Sequence, residues 1–213
     1  VRGTRATYAV LAVFGLALLG GKILNERRRQ RNITALAIDE AVSRWLTETG
    51  GNVRTEILLL IPAYNEAASL PEVLGRVPPK VRDRNVSVVV VVDGATDETE
   101  AVARRFCVPA VLPHRCGQGA ALRAGYAIAR ATGAEIVAVT DADGQTMPEE
   151  LPAVVGPILD GVADFVNGSR VLGQAENASA IRAAGVAFFS RLISRLTGIS
   201  VTDTSSAFRA VRG

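Results

Sequence analysis

The chain has 213 residues, 48% hydrophobic and 21% charged, which supplies one sizeable core and excludes an intrinsically disordered chain. Its formal charge is only +3 and Phe, Trp and Tyr make up 5% of it, so the aromatic-studded basic face that nucleic acid requires is missing and nucleic acid is excluded as a partner. Cys107 and Cys116 with the single histidine His114 form no zinc-ligand spacing, and they predict two free thiols in a reducing compartment.

Residues 6–21 carry no charge, and Ile23 and Leu24 extend the apolar run past Lys22. Close to the ~20 residues that span a bilayer, the run predicts an N-terminal transmembrane helix, a membrane anchor over 1–24. Arg5 and Lys22 stand where long side chains snorkel to headgroups. Lys22, Arg27, Arg28, Arg29 and Arg31 follow the run, against Arg2 and Arg5 before it. The positive-inside bias therefore predicts a single-pass protein of the cell membrane whose remaining chain is cytoplasmic. A cleaved signal peptide is disfavoured, because no small-x-small site follows and the arginine run opposes translocation.

Residues 25–55 read as a basic juxtamembrane segment and an amphipathic helix. Ile33, Leu36, Ala37, Ala41, Val42, Trp45 and Leu46 recur at helical spacing, so this helix lies along the membrane or packs on the domain that follows. Gly50-Gly51-Asn52 ends it.

From residue 56 to 213 short β-branched runs alternate with helical patterns, which predicts an α/β domain: a mostly parallel sheet flanked by helices. Strands are expected at 57–61, 86–92, 110–112, 135–140 and 164–166, and helices at 67–77, 97–106, 119–131, 148–159 and 178–196. The runs 58–61 and 88–92 are apolar throughout, as in strands covered on both faces.

Three successive strands end in polar clusters: Tyr64-Asn65-Glu66, Asp93, and Asp141-Ala142-Asp143. Ligands of open α/β sheets sit beyond such carboxyl ends, and acidic groups gathered there repel one another unless a cation binds among them. Asp141 and Asp143, two apart on an extended turn, suit one hard divalent cation, Mg²⁺ or Mn²⁺, with positions left for phosphate oxygens and Gln145 as a further oxygen ligand. Asp93 is placed to accept a hydrogen bond from a nucleobase imide, whereas Asp97 reads as a helix N-cap. Gly117-Gln118-Gly119 opens a helix whose amides can face a phosphate. No dinucleotide fingerprint follows the first strand, and His114 has no nucleophile motif beside it, so neither a Rossmann oxidoreductase nor a hydrolase triad is supported.

On these residues the sequence resembles glycosyltransferase family 2, the GT-A fold, and its polyprenyl-phosphate branch that includes dolichol-phosphate mannose synthase. The matching segments are 61–66, 92–97, 117–125, 141–145, 168–170 and 203–209, in the family's order. The resemblance implies a nucleotide-diphosphate sugar, of GDP-mannose or UDP-glucose type, held by Pro62, Ala63, Tyr64, Glu66, Asp93, Gly117, Gly119, Asp141, Ala142 and Asp143. It implies a cation on Asp141, Asp143 and Gln145, and phosphate or acceptor contacts from Arg170, Arg182 and Arg209. Asp143 and Asp203 are the implied catalytic acids. Val92, Gln118, Thr146 and Ala207 depart from the family's usual aspartate, lysine, histidine and glycine. Members continue past the Phe208-Arg209 motif, so the domain reads as C-terminally truncated.

The reaction implied is metal-dependent, inverting transfer of a sugar to a polyprenyl (dolichyl- or undecaprenyl-type) lipid phosphate at the cytoplasmic membrane face. No Glu-Asp pair follows residue 170 to act as base, and a phosphate monoester, with a second pKa of about 6, needs none. The alternatives are a hydroxyl acceptor on a lipid or polysaccharide, with Asp203 as base, and a non-catalytic membrane-bound scaffold.

Overall fold

The computed structural model describes residues 2–51, 55–169, 180–198, 203 and 206–213, with the side chains of 2–24, 180–184, 186–187 and 197 outside that description. Arg2–Glu48 form a single helix, α1. The expected anchor and amphipathic helix are thus continuous, because no Pro or paired Gly interrupts the stretch between Lys22 and Ile33. The apolar run 6–24 falls on side chains outside the described set, and among the described residues no helix is long and apolar enough to cross a membrane. The C-terminal half of α1 packs on the domain: Ala37, Ile38, Ala41 and Trp45 are buried, and Trp45 Nε1 donates to the Val108 carbonyl at 2.9 Å.

The domain is one mixed sheet. β1 (Ile57–Ala63) lies between β3 (Arg84–Asp93) and β5 (Ile136–Val139), parallel to both. β4 (Ala110–Leu112) continues the parallel part on β3. Antiparallel pairings complete it: β2 (Lys80–Val81) on β3, and β7 (Arg209–Arg212) between β5 and β6 (Phe165–Asn167). The sheet is therefore mixed where the sequence predicts mostly parallel. β2 and β7 are the unforeseen strands, one only two residues long and the other flanked by arginines in place of an apolar run.

Helices α2 (Leu70–Gly75), α3 (Thr99–Ala103), α4 (Gln118–Thr132), α5 (Leu151–Leu159, entered by a 3₁₀ turn at Pro148–Glu150) and α6 (Ala180–Thr197) follow the predicted order. Alternate residues of β1 point to opposite faces, and two cores result. Leu59 and Ile61 join Leu70, Val73, Leu151 and Ile158 on one side. Leu58 and Leu60 join Trp45, Ala121, Ala124 and Ile128 on the other, so α1 and α4 together cover that face. α4 approaches β1 so closely that a Cβ on Gly125 would lie 2.1 Å from Leu60 Cδ1.

Candidate active site

Because β3, β1 and β5 are neighbours, their carboxyl ends bring the three polar clusters side by side, and hydrogen bonds lock the loops into one rim. Asn65, at φ 56, accepts from the Thr96 amide at 2.8 Å. The Glu66 amide donates to Thr99 Oγ1 at 2.8 Å, and the Ala67 amide donates to Asp97 Oδ2 at 3.2 Å. The helix predicted from residue 67 starts at Leu70 in the structure. Asp97 Oδ1 also accepts from the Thr99 amide, 3.0 Å, and from the Thr99 hydroxyl. That hydroxyl, foremost, holds the Asp97 carboxyl below the usual range. Glu98, not the expected Asp97, occupies the N-cap of α3, and Asp97, one residue earlier, holds the Thr99 amide and ties the β1 loop down.

Asp93 is buried, and its carboxylate fastens the loop before α4: Oδ1 accepts from the Cys116 amide at 2.6 Å and Oδ2 from the Gly117 amide at 2.7 Å. Asp93 is first a structural acceptor, although each oxygen keeps a second lone pair. The Gly117 amide is spent on Asp93, which leaves the first-turn amides of Gln118 and Gly119 as the donors an α-helix does not pair itself. Burial, and the Asp93 carboxylate second, push the Cys116 thiol up, so it stays protonated near neutrality.

After β5 the chain turns sharply. Gly144 at φ 75 makes the turn that only glycine enters freely, and the Gln145 amide donates to Asp143 Oδ1 at 2.9 Å. The Thr140 and Thr146 hydroxyls pair at 2.5 Å across its base. Gln118 Nε2 reaches Asp141 Oδ1 at 3.4 Å, linking the start of α4 to the acidic turn.

Pro62, Ala63, Tyr64, Glu66, Asp93, Gly117, Asp141, Ala142 and Asp143 line one cavity of about 340 Å³, and Arg115, Gln118 and Ala121 complete its wall. Nine of the sequence-predicted residues therefore meet in one place. Gly119 sits in the first turn of α4 and Gln145 just beyond the acidic turn, and neither lines the cavity. Asp203 is buried, and its carbonyl accepts from Asn167 Nδ2 at 2.6 Å. Arg209 pairs in register with Val139 and Asn167, two residues from Asp141 along the sheet edge. Arg170 and the Arg182 side chain lie outside the described residues.

Arg115 is the residue that sequence reasoning missed. Its guanidinium carbon lies 4.0 Å from the Tyr64 ring centroid, a cation–π contact, and the two residues also border a second cavity of about 530 Å³ that runs along Gly94–Thr96 and Leu112–His114. A lone arginine in a loop carries no sequence signal. Only the close approach of Gly94 to the His114–Arg115 backbone, where a Cβ would sit 2.2 Å from the Arg115 nitrogen, brings it beside Tyr64.

Four carboxylates and one guanidinium line the first cavity. Asp141 and Asp143 open into it together, and among the described residues no group of three or more His, Cys, Asp or Glu forms a closed metal cage. Two carboxylates that open into one cavity fit a hard cation that completes its shell with ligand oxygens and water, the habit of Mg²⁺ and Mn²⁺.

Residues 59–212 match the family model described as Glycosyl transferase family 2. The chain is 32% identical over 157 residues to a dolichyl-phosphate hexose transferase of Haloferax volcanii, covering 74% of this chain and 66% of that one. It is 33% identical over 168 residues to an undecaprenyl-phosphate 4-deoxy-4-formamido-L-arabinose transferase of Pseudomonas fluorescens, covering 73% and 47%. The chain thus spans about half to two thirds of the length of these curated relatives. Among solved structures, the glucosyl-3-phosphoglycerate synthase of Mycobacterium tuberculosis with Mn²⁺, UDP-glucose and phosphoglyceric acid superposes with a TM-score of 0.54 at 26% identity, covering 76% of this chain and 58% of that one.

Proposed function

The chain belongs to glycosyl transferase family 2, and on that premise we propose that it catalyses metal-assisted transfer of a glycosyl group from a nucleotide-diphosphate sugar to a hydroxyl-bearing acceptor. The observation that carries this reading is the shared cavity of Asp141, Asp143, Tyr64 and Asp93. So acidic a wall repels a diphosphate unless a cation stands between them. The solved relative that holds Mn²⁺ together with UDP-glucose and phosphoglyceric acid supports both the cation and an acceptor that is not a lipid.

Asp141 and Asp143 hold the cation, and Gln145 acts through its amide by fixing the rotamer of Asp143. The bound cation supplies Lewis-acid neutralisation of the leaving diphosphate. Tyr64 and Asp93 flank the nucleoside, while the first-turn amide of Gln118 faces the phosphates. Asp203, buried and outside the cavity lining, is the base to test for a hydroxyl acceptor, and Arg209, beside Asn167, together with Arg170 and Arg182, binds acceptor or diphosphate oxygens.

A second reading, transfer to a polyprenyl phosphate at the cytoplasmic membrane face, rests on the lipid-phosphate names of the curated relatives and on the N-terminal apolar run. One experiment separates the two. Purified protein is given a panel of radiolabelled nucleotide sugars with Mn²⁺, and label is counted in organic-extractable lipid and in water-soluble product, for the parent and for Asp203→Asn. A hydroxyl acceptor requires Asp203→Asn to lose turnover by about 10²-fold or more, the range of a general base. A phosphate acceptor requires label in lipid and turnover that survives the change. No Mn²⁺-dependent transfer to either fraction leaves the scaffold reading, which calorimetry with UDP or GDP and Mn²⁺ then tests for binding alone.

A further inference from the structure

Over the described side chains from Phe188 to Leu196, α6 turns apolar groups to water. Phe188, Phe189, Leu192, Ile193 and Leu196 are all exposed, Phe188 by 62% and Leu196 by 76%, whereas Ser190 is buried at 5%. Helical geometry, about 100° per residue, gathers the five apolar side chains into an arc of about 140° and leaves Ser190 and Ser194 outside it. The Phe188 and Phe189 rings meet edge to face with centroids 5.4 Å apart, which makes the aromatic end of the arc one continuous surface. Arg191 and Arg195, both exposed and four residues apart, border the arc on one side.

Charge identifies what such a face fits. From Asn177 to Thr202 the chain carries Arg182, Arg191 and Arg195 and no acidic residue. An exposed apolar patch with a polar border marks an interaction surface, and a border that is basic without any acid selects an anionic partner. Aromatic and leucine side chains flanked by arginines are what a helix lying in a bilayer interface requires: the apolar arc enters the acyl boundary while the guanidinium groups reach the phosphates. Antiparallel self-association through a two-fold axis would instead set the arginine borders of two copies against each other.

We propose that α6 docks on an anionic lipid surface, a contact separate from the N-terminal apolar run and independent of which acceptor the cavity serves. The contact forms by partition and charge alone, with no bond made or broken.

The test uses the full chain with Cys107 and Cys116 replaced by alanine. Single cysteines at Phe189, Leu192 or Leu196 carry an environment-sensitive fluorophore, and the protein is reconstituted in nanodiscs of phosphatidylcholine, with or without phosphatidylserine. Spin-labelled acyl chains quench what enters the bilayer, and iodide quenches what stays in water. The expected result is acyl-chain quenching at all three positions when phosphatidylserine is present, with iodide excluded. Arg191→Gln combined with Arg195→Gln should lower the docked-to-undocked ratio about thirtyfold, the effect of two basic residues near an anionic surface. Labels that stay open to iodide in phosphatidylserine discs overturn the proposal. So do labels shielded without lipid in proportion to protein concentration, which would mean that a second copy covers the face. Sugar transfer is not the readout, so failure here leaves the transfer reading standing.

Discussion

At the scale of single residues, the acidic turn and the loop anchors make different predictions. Asp143→Asn removes half of a two-carboxylate cation site, and nucleoside diphosphate binding measured by calorimetry should lose its dependence on Mn²⁺, with transfer falling by about 10²–10³-fold. Asp93→Asn replaces one acceptor oxygen by a donor that faces the amides of Cys116 and Gly117. It should cost about 1–3 kcal/mol in urea unfolding and raise KM for the nucleotide sugar more than it lowers kcat. Asp97 carries a pH signature. Its carboxyl is held low by the Thr99 hydroxyl first, so its contribution is complete above the ordinary aspartate range of about 4 and is lost as pH falls through the lowered folded value. Asp97→Ala should flatten the acid limb of the stability curve and leave the neutral plateau lower. The sequence exposes the acids at these positions because they interrupt apolar strands. It conceals Thr99, Thr140 and Thr146, whose hydroxyls bind either to a loop 33 residues away or within a short turn, and it conceals Arg115, which becomes part of the site only through its neighbours in space.

At the scale of elements, α4 meets β1 at Gly125 with no room for a side chain. Gly125→Ala gains helix propensity of about 1 kcal/mol, but the added Cβ would lie 2.1 Å from a methyl of Leu60, which is fully buried. The clash should win, with net destabilisation of about 1–3 kcal/mol in thermal or urea unfolding. Since the cavity wall at Gln118 and Ala121 belongs to the same helix, nucleotide affinity should fall with stability in that variant. The parallel strands β1, β3 and β5 were legible because a sheet buried on both faces demands unbroken apolar runs. β7 was not, because Arg209 and Arg212 frame a strand whose burial comes from pairing with β5 and β6 and not from its own composition.

At the scale of the whole molecule, α1 belongs to the domain as much as to whatever lies at its N-terminal end. Ala37, Ile38, Ala41 and Trp45 complete the core under α4 and β4, and Arg104 pairs with Glu48 at 3.1 Å near the helix end. Removing residues 2–24 should therefore leave the melting temperature nearly unchanged. Removing residues 2–51 should strip one face of the sheet and yield aggregated protein, or protein with a sharply lower melting temperature. Trp45→Ala alone should cost about 3 kcal/mol or more. Because α1 runs unbroken from Arg2 to Glu48, it leaves the domain as a strut that advances about 1.5 Å per residue and not as a slack cord. The cavity mouth then keeps one bearing and one stand-off from the first turns of α1. A pair of glycines inserted near Arg31 would let the domain swivel while leaving every group at the cavity in place.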